Sequence, residues 1–256
     1  MKVREDKLSL INWVGGKSQL RKTIASHIPS DIKAYIEPFG GAGWVMFYKS
    51  KWAECEVYND INRDLYMLFN IVKFHPEALA QEFELTLPFR QKFKYLKDDF
   101  QPLTDIQKAT RFMFLLSYSY AGKMDSFAYG KTRGAKSLIN LKKRIFEVSQ
   151  RLDRVFLENL DYCEILHKYD NPESFFYLDP PYYVDSVNMY DTINHNKLAD
   201  KLKGIKGRFL LSYDDRPEIR RLYQKFDIIP VSRAMLFNTT PNQKRKEYKE
   251  LLIKNY

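Results

Sequence analysis

Cysteine is nearly absent: Cys55 and Cys163 are the only two thiols in 256 residues. Two cannot build a disulfide framework or a metal cluster, so reduced thiols and no bound metal are expected. Long apolar runs are missing too. A helical membrane span needs about 18–20 consecutive apolar residues, and the longest candidate, 112–121, is interrupted by Ser117, Ser119 and two tyrosines. The first residues, Met-Lys-Val-Arg-Glu-Asp-Lys, lack the apolar core of a signal peptide. A cytoplasmic protein with no membrane partner is the expectation. Two phosphate motifs are incomplete. Gly16-Lys17-Ser18 looks like the end of a P-loop, but the glycine required five residues before Gly16 is Ile11. Gly41-Ala42-Gly43 looks like the start of a dinucleotide fingerprint, but the small residue required three positions after Gly43 is Met46. Neither an ATPase nor a dehydrogenase is supported.

Acid is in deficit, with 42 Lys+Arg against 32 Asp+Glu and a formal charge of +10. The excess is concentrated. Residues 117–154 carry nine bases and three acids, and residues 233–254 carry six bases and two acids. Such blocks suit a polyanion-binding face; the alternative is two solvated surfaces with no partner. A hydrophobic content of 45% is ordinary for a globular chain and too high for a disordered one. The length allows one compact domain, or one domain with an insertion.

Short apolar runs alternate with amphipathic stretches, which predicts an α/β fold. Strands are expected over 34–37, 56–58, 155–158, 175–178, 209–213, 226–231 and 251–253. Helices are expected over 18–27, 44–51, 62–74, 76–85, 105–116, 138–152, 196–203 and 216–225. In the sixth helix Leu138, Leu141, Ile145, Val148 and Leu152 form a core-facing stripe behind a Ser137 cap. About 95 mostly helical residues separate the first two strands from the others. That pattern predicts one sheet domain over 1–60 and 155–256 and an inserted helical domain over 61–154.

Strand 34–37 runs into Pro38-Phe39-Gly40-Gly41-Ala42-Gly43, glycines that let backbone approach a ligand at a strand's carboxyl end. Asp60 ends the next strand, at the distance from Gly40 at which an acid accepts hydrogen bonds from ribose hydroxyls. A nucleoside without a pyrophosphate, such as S-adenosylmethionine, fits this pattern. The alternative is a tight turn followed by a helix-capping Asp. After the apolar strand 175–178 comes Asp179-Pro180-Pro181-Tyr182. Two prolines stop the strand and stiffen its carboxyl edge, holding an acid and a ring where α/β proteins bind ligands.

These elements together resemble the Dam-like (D12 class, alpha group) DNA N6-adenine methyltransferases, over nearly the whole chain and in the same order. Asn12-Trp13-Val14-Gly15-Gly16-Lys17 resembles that family's N-terminal element, with Val14 for its usual Ala. Residues 37–43 are similar to its cofactor loop, Asn59-Asp60-Ile61-Asn62 to its Asn-Asp-x-Asn element, and Asp179–Tyr182 to its catalytic tetrapeptide. Residues 246–252 are similar to its closing Lys-x-x-Glu-Leu-Leu strand. The resemblance implies a Rossmann-like methyltransferase sheet with helices on both faces and an inserted target-recognition subdomain. It implies S-adenosylmethionine as cofactor, contacted by Trp13, Gly16, Lys17, Phe39, Gly40, Gly41, Gly43, Asp60, Ile61, Asp161, Tyr162 and Asp179. Catalysis would fall to Asp179, Pro180, Pro181 and Tyr182. Double-stranded DNA is the implied partner, with Tyr118, Tyr120, Lys123, Arg133 and Lys136 as candidate contacts and Lys244 and Arg245 on phosphates. A bacterial or phage-infected cell, a short palindromic target and a cognate restriction endonuclease belong to the same set of expectations. Two rivals are methylation of cytosine N4 or RNA adenine on the same fold, and a silent DNA-binding scaffold. Asp179 favours adenine by resemblance, and the intact tetrapeptide argues against silence.

Overall fold

The computed structural model describes residues 8–86, 89–128, 137–182, 193–234 and 247–256. Along the chain the elements are α1 (Arg21–Ser26), β1 (Ala34–Glu37), β2 (Cys55–Asn59), α2 (Arg63–Phe74), α3 (Pro76–Glu84), α4 (Arg90–Lys94), α5 (Asp105–Tyr118), α6 (Leu138–Leu152), β3 (Val155–Glu158), α7 (Tyr162–Tyr169), β4 (Ser174–Leu178), α8 (His195–Lys203), β5 (Arg208–Asp214), α9 (Pro217–Leu222), β6 (Asp227–Ala234) and β7 (Glu247–Lys254). The strands are ordered β3-β2-β1-β4-β5-β7-β6 and are flanked by helices, a Rossmann-like α/β arrangement. β1, β4 and β5 are parallel, while β7 runs antiparallel to both β5 and β6. All five residues of β4 are buried, as a central parallel strand requires. Pro230 is tolerated because β6 is an edge strand, where a missing N–H leaves no ladder bond unmade. Among the described residues no helix is long and apolar enough to cross a membrane, and no three His, Cys, Asp or Glu are grouped to hold a metal ion.

The chain forms two compact units. The first comprises residues 1–18, 40–51 and 58–159; the second comprises 19–39, 52–57 and 160–256. The first therefore contains all of 61–154 together with the glycine-rich stretches at 12–17 and 40–43.

In the first unit, α2 starts where the Asn62 side chain accepts from the Asp64 and Leu65 N–H groups. It buries Leu65, Leu68, Phe69, Ile71 and Val72. α5 opens on a reciprocal capping box between Thr104 and Gln107. In α6 the Ser137 hydroxyl accepts from the Asn140 N–H, and Leu141, Ile145, Val148 and Leu152 are buried. The 44–51 helix does not form: only Met46–Tyr48 make a 3-10 turn. Val45, Met46 and Phe47 are buried in succession, so the segment has no polar face. Moreover, Arg151 on α6 donates to the Met46 and Lys49 carbonyls, which a helix would use internally. Two elements absent from the sequence reading are α4, continued by a π-helical turn over Tyr95–Asp99, and α7 in the second unit. The second unit centres on Ile36, Phe176, Leu178, Phe209, Leu211, Leu251 and Ile253, the apolar faces of adjacent strands.

Candidate active site

Three stretches of the first unit converge. After β2, Asp60 accepts the Gly41 N–H on Oδ2 and the Asn62 N–H on Oδ1, both at 2.8 Å. Asn62, not Asp60, caps α2, so the carboxylate is committed to the glycine turn. Burial raises the Asp60 pKa above the usual Asp value, against the opposing pull of the Asn62 and Gly41 N–H groups. The turn is pinned further by Gly40 N–H to the Asn59 carbonyl (2.7 Å), Gly43 N–H to the Gly40 carbonyl (2.8 Å) and the Tyr58 hydroxyl to the Gly41 carbonyl (2.7 Å). Trp13 lies over Gly41, where an added Cβ would come within 3.1 Å of its indole, and Gly41 has φ +50. Lys17 is 4% exposed, and its Nζ donates to the Gly15 carbonyl at 3.1 Å. Gly16 closes a turn onto the Trp13 carbonyl. Ile61, next to the fixed carboxylate, is 60% exposed, an apolar side chain set out toward solvent.

Gly40 is required by close approach: a Cβ there would lie 2.2 Å from Tyr58 Cε2. Tyr58 is fully buried with its hydroxyl tied to Gly41, so its ring cannot retreat. Gly40→Ala is expected to cost about 1–3 kcal/mol through overpacking. Thermal denaturation should show a midpoint several degrees lower; an unchanged midpoint would mean that the loop relaxes freely.

In the second unit, Asp179 follows β4 directly. Ser212 on β5 donates to Asp179 Oδ1 at 2.8 Å and lies 3.2 Å from the Tyr177 hydroxyl. Pro180 is buried and Pro181 exposed. The Tyr182 hydroxyl donates to Glu250 Oε2 on β7 at 2.8 Å, and its ring packs on Tyr213 with centroids 5.9 Å apart. The Tyr213 hydroxyl in turn is 2.5 Å from His195 Nδ1. Burial and the carboxylates of Asp179 and Glu250 push the Tyr182 phenol well above its ordinary pKa, so it is a donor. Phe39 packs on Tyr162 at 5.5 Å, and Tyr162 is buried in the core. Asp161 accepts the Cys163 N–H and caps α7. The Asp161-Tyr162 pair thus begins a helix, with the Tyr162 ring serving packing.

Sequence alone does not mark Ser212, Glu250 or Tyr58 as site residues. Ser212 was legible as a polar residue breaking the run Phe209-Leu210-Leu211. Glu250 stood inside the closing motif, but its partner Tyr182 is 68 positions away.

The candidate DNA contacts separate. Tyr118 is 4% exposed, its ring 4.8 Å from Phe114, so it packs α5 and is not offered to a ligand. Tyr120, two residues on, is 59% exposed on a 3-10 turn, and Lys123 is exposed beside it. Gly122 (φ +72) allows that turn to approach the Asn12 carbonyl. Arg133, Lys136, Lys244 and Arg245 lie outside the described residues. Of the other bases in 117–154, Lys142 pairs with Glu84, Lys143 with Glu147, and Arg151 binds carbonyls, whereas Arg144 and Arg154 are exposed. The basic block is therefore partly structural.

The chain is similar to known proteins along most of its length. Residues 13–236 match the model of the D12 class N6 adenine-specific DNA methyltransferases. A type II methyltransferase, M.MjaIII of Methanocaldococcus jannaschii, is 29% identical over 96% of this chain and 98% of its own. A second, M.CviBI of Paramecium bursaria Chlorella virus NC1A, is 25% identical over 96% and 99%. The DNA adenine methylase of Escherichia coli K12 is 27% identical over 95% and 94%. With residues 13–236 matched by the family model, the protein belongs to the D12 class N6 adenine-specific DNA methyltransferases.

Proposed function

We propose that the protein methylates the N6 amine of an adenine extruded from duplex DNA, with S-adenosylmethionine as the methyl donor. S-adenosylmethionine supplies an electrophilic methyl group on a sulfonium. The residues of the first unit fit it. Asp60 keeps lone pairs for ribose hydroxyls after taking two N–H groups. The buried Lys17 ammonium suits the amino-acid carboxylate, and exposed Ile61 offers an apolar surface to adenine. Gly40, Gly41 and Gly43 let the loop approach closely, and Trp13 covers it.

Adenine N6 is a poor nucleophile because its lone pair is delocalised into the ring. The Asp179 carboxylate and the Pro180 carbonyl accept hydrogen bonds from the amino group, favour a pyramidal nitrogen and aim its lone pair. Preorganised acceptors of this kind meet positive charge as it develops on nitrogen. No enzyme nucleophile is needed, and orientation supplies much of the acceleration. Tyr182 stacks on the extruded base, the state in which N6 becomes reachable. The observation that carries this reading is the fixed carboxylate: Asp179 leaves a proline-stiffened strand end with Ser212 already bonded to it. Incubation with isotope-labelled donor and diverse duplexes, followed by mapping of modified bases, tests it. Label on N6 of adenine is expected; label on cytosine, or none, overturns it.

DNA is held by Tyr120 and Lys123, with exposed Arg144 and Arg154 and the basic tracts containing Arg133, Lys136, Lys244 and Arg245 adding phosphate contacts. Affinity for non-cognate duplex should therefore fall steeply with salt. With about five phosphates neutralised, raising salt from about 50 to 200 mM weakens binding by several hundred-fold. Fluorescence anisotropy would measure it, and a flat response would exclude a phosphate-dominated interface. The type II names of two relatives support a restriction endonuclease as a functional partner.

A further inference from the structure

Glu250 is 1% exposed in β7, where its neighbours Leu251, Leu252 and Ile253 are fully buried and apolar. β7 has a strand on each side, with Glu250 in register with Asp214 on β5 and Val231 on β6. A carboxylate in that position is costly to bury, and an aliphatic residue would suit the strand better. There the carboxylate accepts the Tyr182 hydroxyl at 2.8 Å. The ring so anchored lies on Tyr213, at 31° between planes, and His195 fixes Tyr213 through its hydroxyl. Tyr182 is thus held at its tip and along one side.

We propose that Glu250 is a positioning residue that acts through Tyr182, fixing the plane of the ring on which the acceptor base stacks. The raised pKa of the Tyr182 phenol keeps it a donor throughout the neutral range, so the brace persists wherever the enzyme works. Tyr182 then contributes its face, and its hydroxyl serves orientation. The inference rests on the reading that Tyr182 stacks on the extruded base.

The test is a double-mutant cycle with Tyr182→Phe, Glu250→Leu and the pair, read as kcat, donor KM and the fluorescence of 2-aminopurine placed at the mapped target position. Each single change should lower kcat about tenfold, the scale of one hydrogen bond to a charged group, with donor KM unchanged and the 2-aminopurine signal altered. The double variant should be no worse than either single one. Glu250→Gln, which keeps an acceptor oxygen, should recover most of the loss. Multiplying losses, a Gln variant as impaired as Leu, or an unaffected Tyr182→Phe each overturn the brace. If Glu250→Leu does not fold, Tyr182→Phe, whose Glu250 is intact, still decides by its kcat and fluorescence. Tyr182→Ala separates the underlying reading: wild-type behaviour there refutes stacking itself, whereas an inactive Ala with a normal Phe refutes only the brace.

Discussion

Asp179→Ala should lower kcat for methyl transfer by about 10³-fold or more, while DNA affinity stays within a few-fold of the starting protein. The size follows from the role proposed for the carboxylate. Removing one preorganised polar group at a centre of developing charge costs about 10²–10³ in kcat, and in the proposed arrangement the lost group is also the carboxylate that accepts from the amine. Folding should survive. Asp179 is half-buried, and its loss removes one acceptor from Ser212, which still lies within reach of the Leu178 carbonyl and the Tyr177 hydroxyl. Asp179→Asn is the sharper variant, because the amide keeps one acceptor oxygen and the volume while discarding the charge. If orientation of the amine dominates, Asn retains part of the activity; if charge dominates, Asn falls with Ala. Single-turnover transfer with labelled donor, beside anisotropy of the same DNA, reads both effects. Transfer by Asp179→Ala at the starting rate would remove Asp179 from the mechanism.

Local signals were the ones most legible in the sequence. The α6 stripe and its Ser137 cap, the buried run of β4 and the proline-stiffened turn after it are fixed by neighbours within a few residues. The 44–51 segment misled because its outcome is decided by Arg151, about a hundred residues later, which takes its carbonyls. α7 was readable: Asp161 with Glu164 three positions on is a capping pattern ahead of Ile165 and Leu166. Tyr118 and Tyr120 are equivalent as letters and opposite in the structure, because α5 ends between them and only Tyr118 remains in its packing. For Asp60 the sequence left two readings, ribose acceptor or helix cap. Asn62 takes the cap, which leaves the carboxylate to the glycine turn.

That separation makes Asp60 the second decisive residue. Asp60→Ala should weaken S-adenosylmethionine binding by about 10²-fold or more, since in the proposed site two ribose hydroxyls each lose a charged acceptor worth about 1.5–3 kcal/mol. The Gly41 and Asn62 N–H groups lose theirs as well, so the glycine turn loosens. At saturating donor, kcat should change far less, because the contact is to a part of the donor remote from the transferred methyl. The pH dependence is distinctive. Burial raises the pKa of Asp60, so on acidification it takes up a proton earlier than an ordinary Asp, and affinity falls because the ionised form is the full acceptor. Fold stability moves the other way: the native state binds this proton more tightly than the unfolded chain, so Asp60 contributes stability as pH drops through its raised pKa toward 3.8 and loses it as pH rises. Calorimetric titration across mildly acidic pH, with thermal denaturation in the same buffers, measures both slopes. Asp60→Asn should flatten both. Equal affinity in Asp60→Ala and the starting protein would return Asp60 to a purely structural role in the glycine turn.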